Sequence, residues 1–183
     1  MEIKTINDLV CLVNDESLEK FLYKIKTDEK KQEGKDDKVF SIIDFSSICK
    51  NCFKNVSTVE YLSIKTNSSL TIGESAFENC SKLKTIVLVS GKCLTIQSEA
   101  FKSCNELDSI YIKTAGKIII EKDVFAQCYK LRVVILESGN VEIRDNAFES
   151  SNDLCIISKS DKKGNKKIEK YCSEHNFEYK ELI

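Results

Sequence analysis

The chain has 183 residues, of which 42% are hydrophobic, and its 28 Lys and Arg residues nearly balance its 29 Asp and Glu residues. This length accommodates one domain with a sizeable core. The net charge of −1 supplies no overall basic field, which argues against nucleic acid or an anionic membrane as the partner.

Residues 1–27 carry apolar side chains at helical spacing, namely Ile6, Leu9, Val10 and Val13, followed by Leu18, Phe21, Leu22 and Ile25. The pattern predicts one kinked helix or two short ones that cover the open end of the fold. Residues 28–38 carry no apolar side chain and are predicted to form a solvated loop of mixed charge, with a docking segment as the alternative. We therefore assign residues 1–38 as an N-terminal helical cap and charged loop.

The central part of the sequence, residues 39–158, repeats in tandem. Phe53, Phe77, Phe101, Phe125 and Phe148 follow one another at intervals of 24, 24, 24 and 23 residues. An isoleucine stands five positions before each Phe, and a valine or leucine stands six positions after it. A tandem period of this length indicates a solenoid, in which each unit buries its apolar side only by stacking on the next unit.

Each unit is predicted to contain a long strand and a short one. Pairs such as Ile86 and Leu88 alternate as in a strand with one face in the core, whereas the last unit keeps only Ile157, so that Ile156 and Ser158 are predicted to point outward. Short alternating pieces such as residues 70–72 predict a second, weaker strand on the opposite side.

A short helical turn is predicted between the two strands of each unit. In four units the position just before the small residue and the Phe is occupied by Ser75, Glu99, Asp123 and Asn146. Three of these residue types, Ser, Asp and Asn, commonly cap helix N-termini. At strand spacing, the Phe rings of successive units are predicted to stack as one ladder.

After the repeats, the sequence predicts a terminal cap at residues 159–183. Residues 165–175 read as a helix with Ile168, Tyr171 and Cys172 on one face, and Phe177 and Tyr179 alternate as in a final strand.

The repeated unit, I-x-x-x-A-F-x-x-C-x-x-L-x-x-I-x-I, is clearest at residues 72–88, 96–112 and 120–136. It resembles the unit of the BspA-like leucine-rich repeats, over about residues 46–158 and in five copies. The outer units depart from it at four positions, namely Ser46, Cys52, Val56 and Ser151. The resemblance implies an α/β repeat solenoid, coiled right-handedly, with a parallel β-sheet on one face, short second strands and helical turns opposite, and an α-helical N-terminal cap. Many similar proteins are surface proteins of bacteria or parasitic protists, which implies adhesion and contacts with host proteins.

The nine cysteines are interpreted as buried thiols. Cys80, Cys104 and Cys128 share one repeat position, and a stacked row does not offer the tetrahedral arrangement that zinc requires. Cys49 and Cys52 form a lone C-x-x-C, for which packing is favoured and a redox role is the alternative.

No catalytic constellation is apparent from the sequence. His175, the single histidine, is predicted to be an ordinary surface residue of the terminal cap. We therefore predict no enzyme, no cofactor and no metal, while an enzyme that relies on a thiol such as Cys49 or Cys52 is the remaining alternative.

The functional prediction concerns the side chains that lie between the buried pairs of the long strands. These are expected to face solvent and to bind a protein partner: Tyr61, Thr85, Val87, Ser109, Tyr111, Lys113, Val133, Ile135 and Glu137. Exposed apolar patches often mark protein contacts. The alternatives are that β-branched and aromatic residues simply suit strands, or that a loop or the terminal helix covers the patch.

The sequence thus predicts a non-enzymatic scaffold for protein–protein recognition, as a monomer or weak homo-oligomer. The alternatives are a structural, self-assembling repeat protein and a cell-surface adhesion or host-contact protein. The first residues lack the basic-then-apolar pattern of a secretory signal, and no stretch approaches the roughly 20 apolar residues of a transmembrane helix. A cytoplasmic location is therefore predicted, with the cell surface or secretion as the alternative implied by the resemblance.

Overall fold

The computed structural model describes residues 39–182, which form a solenoid of parallel strands closed by one helix. The elements are β1 (Val39–Ile43), β2 (Ser47–Ile48), β3 (Tyr61–Thr66), β4 (Leu70–Ile72), β5 (Thr85–Ser90), β6 (Leu94–Ile96), β7 (Ser109–Thr114), β8 (Lys117–Ile120), β9 (Val133–Glu137), β10 (Asn140–Ile143), β11 (Cys155–Lys159), α1 (Lys162–His175) and β12 (Glu178–Glu181). The predicted N-terminal cap and charged loop lie outside the described residues.

The strands form two parallel sheets. The long strands are hydrogen-bonded in the order β1-β3-β5-β7-β9-β11-β12, and the short strands in the order β10-β8-β6-β4-β2. Residues 24 apart pair with each other, for example Ile86 with Ile110 and Ile96 with Ile120. The sequence period is therefore the length of one turn of the coil, and the predicted pair of strands in each unit is confirmed.

The Phe ladder is also confirmed and runs through the centre of the core. Neighbouring rings from Phe53 to Phe148 lie 5.0 to 5.5 Å apart, with interplanar angles of 3 to 12°. Phe101 is fully buried, whereas Phe53, in the first unit, is only partly buried. The core is thus a stack of equivalent side chains, which are fully buried in the middle units and only partly buried in the first unit.

The predicted helical turns are wrong, because α1 is the only helix within residues 39–182. Each turn instead contains two residues with a left-handed backbone four positions apart, with φ between 53 and 74°: Asn51 and Asn55, Ser75 and Asn79, Glu99 and Ser103, Asp123 and Gln127, Asn146 and Ser150. Small polar residues are among the side chains that tolerate this conformation best.

The left-handed residues turn alternate amides toward the next unit. The amides of Ser75, Phe77 and Asn79 donate to the carbonyl oxygens of Ser98, Ala100 and Lys102 at 3.1, 2.7 and 2.8 Å. The intervening amides bond within the turn, as from Ala76 to Gly73 at 3.1 Å. In an α-helix, amides bond to carbonyl oxygens four residues earlier in the same segment, so the turn exchanges such local bonds for bonds along the solenoid axis.

A row of buried hydroxyls occupies the corner where each long strand ends. Thr66, Ser90, Thr114 and Ser138 lie 24 residues apart and are 3 to 5% exposed. The Ser138 hydroxyl donates to the Gly116 carbonyl at 2.6 Å and accepts from the Asn140 amide at 3.1 Å. The hydroxyls thus satisfy backbone groups that the sharp corner leaves without strand partners.

The last unit is one residue shorter than expected between its leucine and its strand. In β11, Ile156 pairs with Val134 and Ile157 pairs with Ile135. Ile156 is therefore a core residue with 0% exposure, and the Ser158 hydroxyl lies inside, bonded to Asn165 Oδ1 at 3.0 Å. The prediction that Ile156 and Ser158 point outward is wrong, because the missing residue moves every following side chain to the other face.

Helix α1 closes the C-terminal end of the core. It begins three residues earlier than predicted, since the Asp161 carboxylate accepts from the Gly164 amide at 2.6 Å and caps the helix. Ile168 and Cys172 enter the core, and Tyr171 meets the last ladder ring, Phe148, edge-on at 6.4 Å.

We expect Phe101→Ala to lower the free energy of unfolding by about 3 to 5 kcal/mol, the usual cost of deleting a buried aromatic side chain. Phe53→Ala is the matched control, and its loss should be clearly smaller because Phe53 is only partly buried. Urea unfolding measures both. Equal losses would contradict a ladder that is weaker at its first unit.

The left-handed turn makes opposite predictions for two substitutions of Ser103, whose φ is 60°. Ser103→Val should cost about 1 to 2 kcal/mol, because a β-branched side chain is strained in this conformation. Ser103→Gly should cost less, since glycine adopts this φ freely. Both variants lose the bond from the Ser103 hydroxyl to Gln127, so the difference between their melting curves reports the backbone alone.

Candidate binding face of the long-strand sheet

The strand register brings all nine predicted partner-binding residues onto one face of the long-strand sheet. They lie in three rows across the strands. One row runs Tyr61, Thr85, Ser109, Val133; the next runs Val87, Tyr111, Ile135; and the third contains Lys113 and Glu137. The one-residue shift in β11 adds Cys155 to the first row and Ile157 to the second. Sequence reasoning missed these two because the shortened unit was not visible from the period.

The prediction that this whole face is exposed is wrong for six of the nine residues. Tyr111 is 2% exposed and Ile135 1%, and Val87, Ser109, Val133 and Glu137 are buried as well. Cys155 and Ile157 share this burial. On an uncovered sheet face the phenol of a tyrosine would reach water, so this burial means that the face is covered. We call these eight residues the covered patch.

The rest of the face is accessible and lies toward β3. Tyr61 is 43% exposed, Lys65 and Lys113 are exposed, and Ser63, Thr85 and Val89 are half-buried. We call these six residues the open margin. The face is therefore divided, with the margin on β3, at Thr85 and Val89 of β5 and at Lys113 of β7, and the covered patch running from Val87 of β5 to β11.

A buried carboxylate links the two parts. Glu137 Oε1 accepts from the Tyr111 hydroxyl at 3.0 Å, and Glu137 Oε2 lies 3.0 Å from the ammonium of Lys113. Glu137 is 7% exposed, whereas the Lys113 side chain remains about half exposed. Because a buried carboxylate requires such partners, this cluster fixes the tip of Tyr111 at the boundary between patch and margin.

The thiols at the common repeat position form the inward ladder that the sequence predicted. The thiols of Cys80, Cys104 and Cys128 each donate to the carbonyl oxygen of the Phe one unit earlier, at 3.3 Å in every case. Burial raises the pKa of Cys128 to about 12. Its thiol therefore stays protonated near neutral pH and is a poor nucleophile.

Cys49 and Cys52 do not pack in the core as predicted. Both are exposed, at the turn of the first unit, and they form a disulfide with each other. This turn belongs to the first unit, and Cys52 does not reach the buried environment of its counterparts Ala76 and Ala100.

His175 lies at the C-terminal end of helix α1. Its ring stacks on Tyr171 at 4.1 Å, and its Nδ1 lies 2.8 Å from the Tyr171 carbonyl oxygen. This is the position at which a basic side chain interacts favourably with a helix terminus. Within residues 39–182, no three His, Cys, Asp or Glu side chains are grouped so as to hold a metal ion.

The two parallel sheets, the 24-residue turn and the stacked side chains define a solenoid of leucine-rich-repeat type. The BspA type leucine-rich repeat region matches residues 43–180 in six copies, which is about three quarters of the chain. The chain belongs to this family. No curated protein and no solved structure gives a match. The match extends beyond the five units recognised in the sequence, into the helix–strand cap. The segment 39–182 contains no helix with the length and apolar character needed to cross a membrane.

The thiols should fall into three reactivity classes when the native protein is treated with a thiol reagent at mildly alkaline pH. Cys93, which is exposed, should react at once, Cys49 and Cys52 should react only after a reductant is added, and Cys104 and Cys128 should react only after unfolding. Peptide mass spectrometry assigns each site. Labelling of Cys128 as fast as Cys93 in the folded protein would contradict the buried ladder.

Proposed function

We propose that the protein is a non-enzymatic recognition scaffold that binds a partner protein through the outward face of the long-strand sheet. The observation that supports this most directly is the composition of that face: aromatic and aliphatic side chains stand in register across adjacent strands and end in an exposed margin with Tyr61. Extended sheet surfaces of repeat proteins are commonly used in this way.

The open margin is where a partner would first make contact. Tyr61 offers an exposed ring and hydroxyl in the first row, and Lys65 and Lys113 place ammonium groups in the third row of the same face. Tyrosine is enriched among the residues that dominate binding energy, because it buries a large area with few rotatable bonds. A partner that presents an apolar side chain to the first row and carboxylates to the third row fits this margin.

A surface or secreted location is the alternative to the cytoplasm, and the Cys49–Cys52 disulfide favours it, because disulfides persist mainly in oxidising compartments. In that setting the same face would serve adhesion or contact with another cell. Mapping thiols in protein taken directly from the source cells, with free thiols blocked at lysis, distinguishes the two. A reduced Cys49–Cys52 pair supports the cytoplasm.

We expect the double variant Tyr61→Asp with Lys65→Glu to lose the partner that the wild-type protein captures from a lysate of the source organism, because it removes the exposed ring and reverses the charge of the margin. The matched control is Tyr129→Asp. Tyr129 is 62% exposed and lies in a turn, away from the sheet face, so this variant should retain the partner.

Quantitative mass spectrometry of the captured proteins is the measurement. Circular dichroism and melting curves should be unchanged in all variants, since the substituted side chains are exposed. The proposal fails when the margin variant and the wild type capture the same proteins, or when Tyr129→Asp loses the same protein as the margin variant.

A further inference from the structure

The first turn carries a pair of cysteines at positions where no later turn has one. Cys49 and Cys52 stand one period before Gly73 and Ala76, and the corresponding positions of the other units hold no cysteine either. Both residues are exposed, unlike the thiols of the inward ladder, and they are joined as a disulfide. The pair is thus an addition to the repeat and no part of its core.

The fold of the repeat, independently of the disulfide, brings these two positions together. The amide of Cys52 donates to the carbonyl oxygen of Cys49 at 3.3 Å. Turns without a cysteine at these positions make the same bond, as from Ala100 to Gln97 at 3.2 Å. The Cα atoms of the cysteine pair are 5.4 Å apart, which is an ordinary separation for a disulfide. The turn therefore holds the two residues at disulfide distance in either redox state.

Contacts with the second unit fix this turn in place. The amide of Asn51 donates to the carbonyl oxygen of Glu74 at 3.1 Å, and the amide of Gly73 donates to that of Ile48 at 2.9 Å. The ammonium of Lys50 lies 2.8 Å from a carboxylate oxygen of Glu74. None of these contacts involves a sulfur atom. Cleavage of the disulfide therefore leaves them intact.

The disulfide contributes little to the stability of the fold. It joins residues only three positions apart in the sequence, and the stabilisation that a cross-link provides grows with the length of the loop that it closes. Its sulfur atoms belong to exposed residues, which a thiol from solution can approach. These properties are those of a bond that can open and close while the protein remains folded.

We propose that Cys49 and Cys52 form a reversible dithiol–disulfide site, whose co-reactants are a low-molecular-weight thiol and the disulfide of that thiol. In the reductive direction, the thiolate of the small thiol attacks one of the two sulfur atoms. The bond between the cysteines breaks, a mixed disulfide forms, and the other cysteine leaves as a thiolate that takes up a proton.

A second small thiolate completes the reduction. It attacks the sulfur of the small thiol in the mixed disulfide, which releases the small disulfide and the second cysteine thiolate, and this thiolate also takes up a proton. The pair thereby gains two electrons and two protons, and two small thiols are oxidised to one disulfide.

The turn favours closure of the pair over a lasting mixed disulfide. When a small disulfide has reacted with one cysteine, the turn holds the second thiol beside it, so that this thiol displaces the small thiol within the same molecule. The redox state of the pair then follows that of the surrounding thiol pool. Because the site lies in a turn and not on the outward face of the long strands, it is independent of the recognition role.

Equilibration of the native wild-type protein with glutathione and glutathione disulfide tests the proposal. Thiols are trapped with a rapid alkylating reagent and assigned by peptide mass spectrometry. Cys49 and Cys52 should convert together, and titrations in the reductive and oxidative directions should give the same curve. Circular dichroism should not change on reduction, and the melting temperature should fall by a few degrees only.

Two results of this titration would overturn the proposal. One is a pair that stays oxidised in millimolar reduced glutathione until the protein is unfolded. The other is loss of the strand signal when the pair is reduced, which would make the disulfide a structural cross-link.

The variants Cys49→Ser and Cys52→Ser show whether the neighbouring thiol performs the closure. After treatment with glutathione disulfide, each variant should retain a glutathione adduct at its remaining cysteine of the pair, as the exposed Cys93 should in all three proteins. The reduced wild-type protein should retain none at either position, because the second thiol removes it. Adducts at these positions in equal amounts in the wild type and the variants would contradict the proposal.

Comparison of the folded and the urea-unfolded protein isolates the contribution of the turn. The equilibrium constant for closing the pair against glutathione should be about tenfold or more larger in the folded protein, since the unfolded segment must first lose backbone freedom. A peptide of residues 47–55, measured with and without urea, corrects for the effect of the denaturant. Equal constants would show that the repeat does not organise the pair, and the proposal would fail.

Discussion

Hydrogen bonds parallel to the solenoid axis determine the rest of this structure. They run in three places in each unit: along the long strands, along the short strands and through the turns, where alternate amides reach the next unit. These bonds fix the separation of successive units, and the ring centroids of the Phe ladder follow it at 5.0 to 5.5 Å. Each side chain therefore meets its own equivalent from the neighbouring unit, and a residue type is acceptable only when it can pack against a copy of itself.

The requirement for self-packing explains the interior positions and excludes charge from them. Phe and Leu stack on themselves without cost, a Cys thiol donates to the preceding unit, and the corner hydroxyls both donate and accept. On the surface the same geometry would stack like charges, and the sequence avoids this by alternation. One column runs Glu60, Lys84, Asp108, Arg132, with ion pairs of 2.7 Å between the first two residues and 2.6 Å between the last two. Each exposed pair contributes little, about 0 to 1 kcal/mol. Its greater effect is on register, because a shift by one unit would place like charges together.

The repeated part of the fold could be predicted from the sequence, since a residue that recurs every 24 positions has equivalent neighbours in each unit. The strands, the Phe and Cys ladders and the single sheet face follow from this rule. The turns could not be predicted in the same way, because Ser75, Asp123 and Asn146 are types that favour both helix N-caps and the left-handed conformation. Only the amides of the next unit decide between the two. The shift at Ile156 and Ile157 could not be predicted from the period, because a deletion within one unit leaves the spacing within all other units unchanged.

Periodicity could not predict the burial of Tyr111 and Ile135, because it describes only how equivalent residues of successive units meet each other. It carries no information about what lies over the sheet face. The open margin differs from the covered patch, since Tyr61 and Lys65 are exposed and Thr85 is half-buried. Recognition that begins at the margin would make the face selective through its shape and through the charge of Lys65 and Lys113.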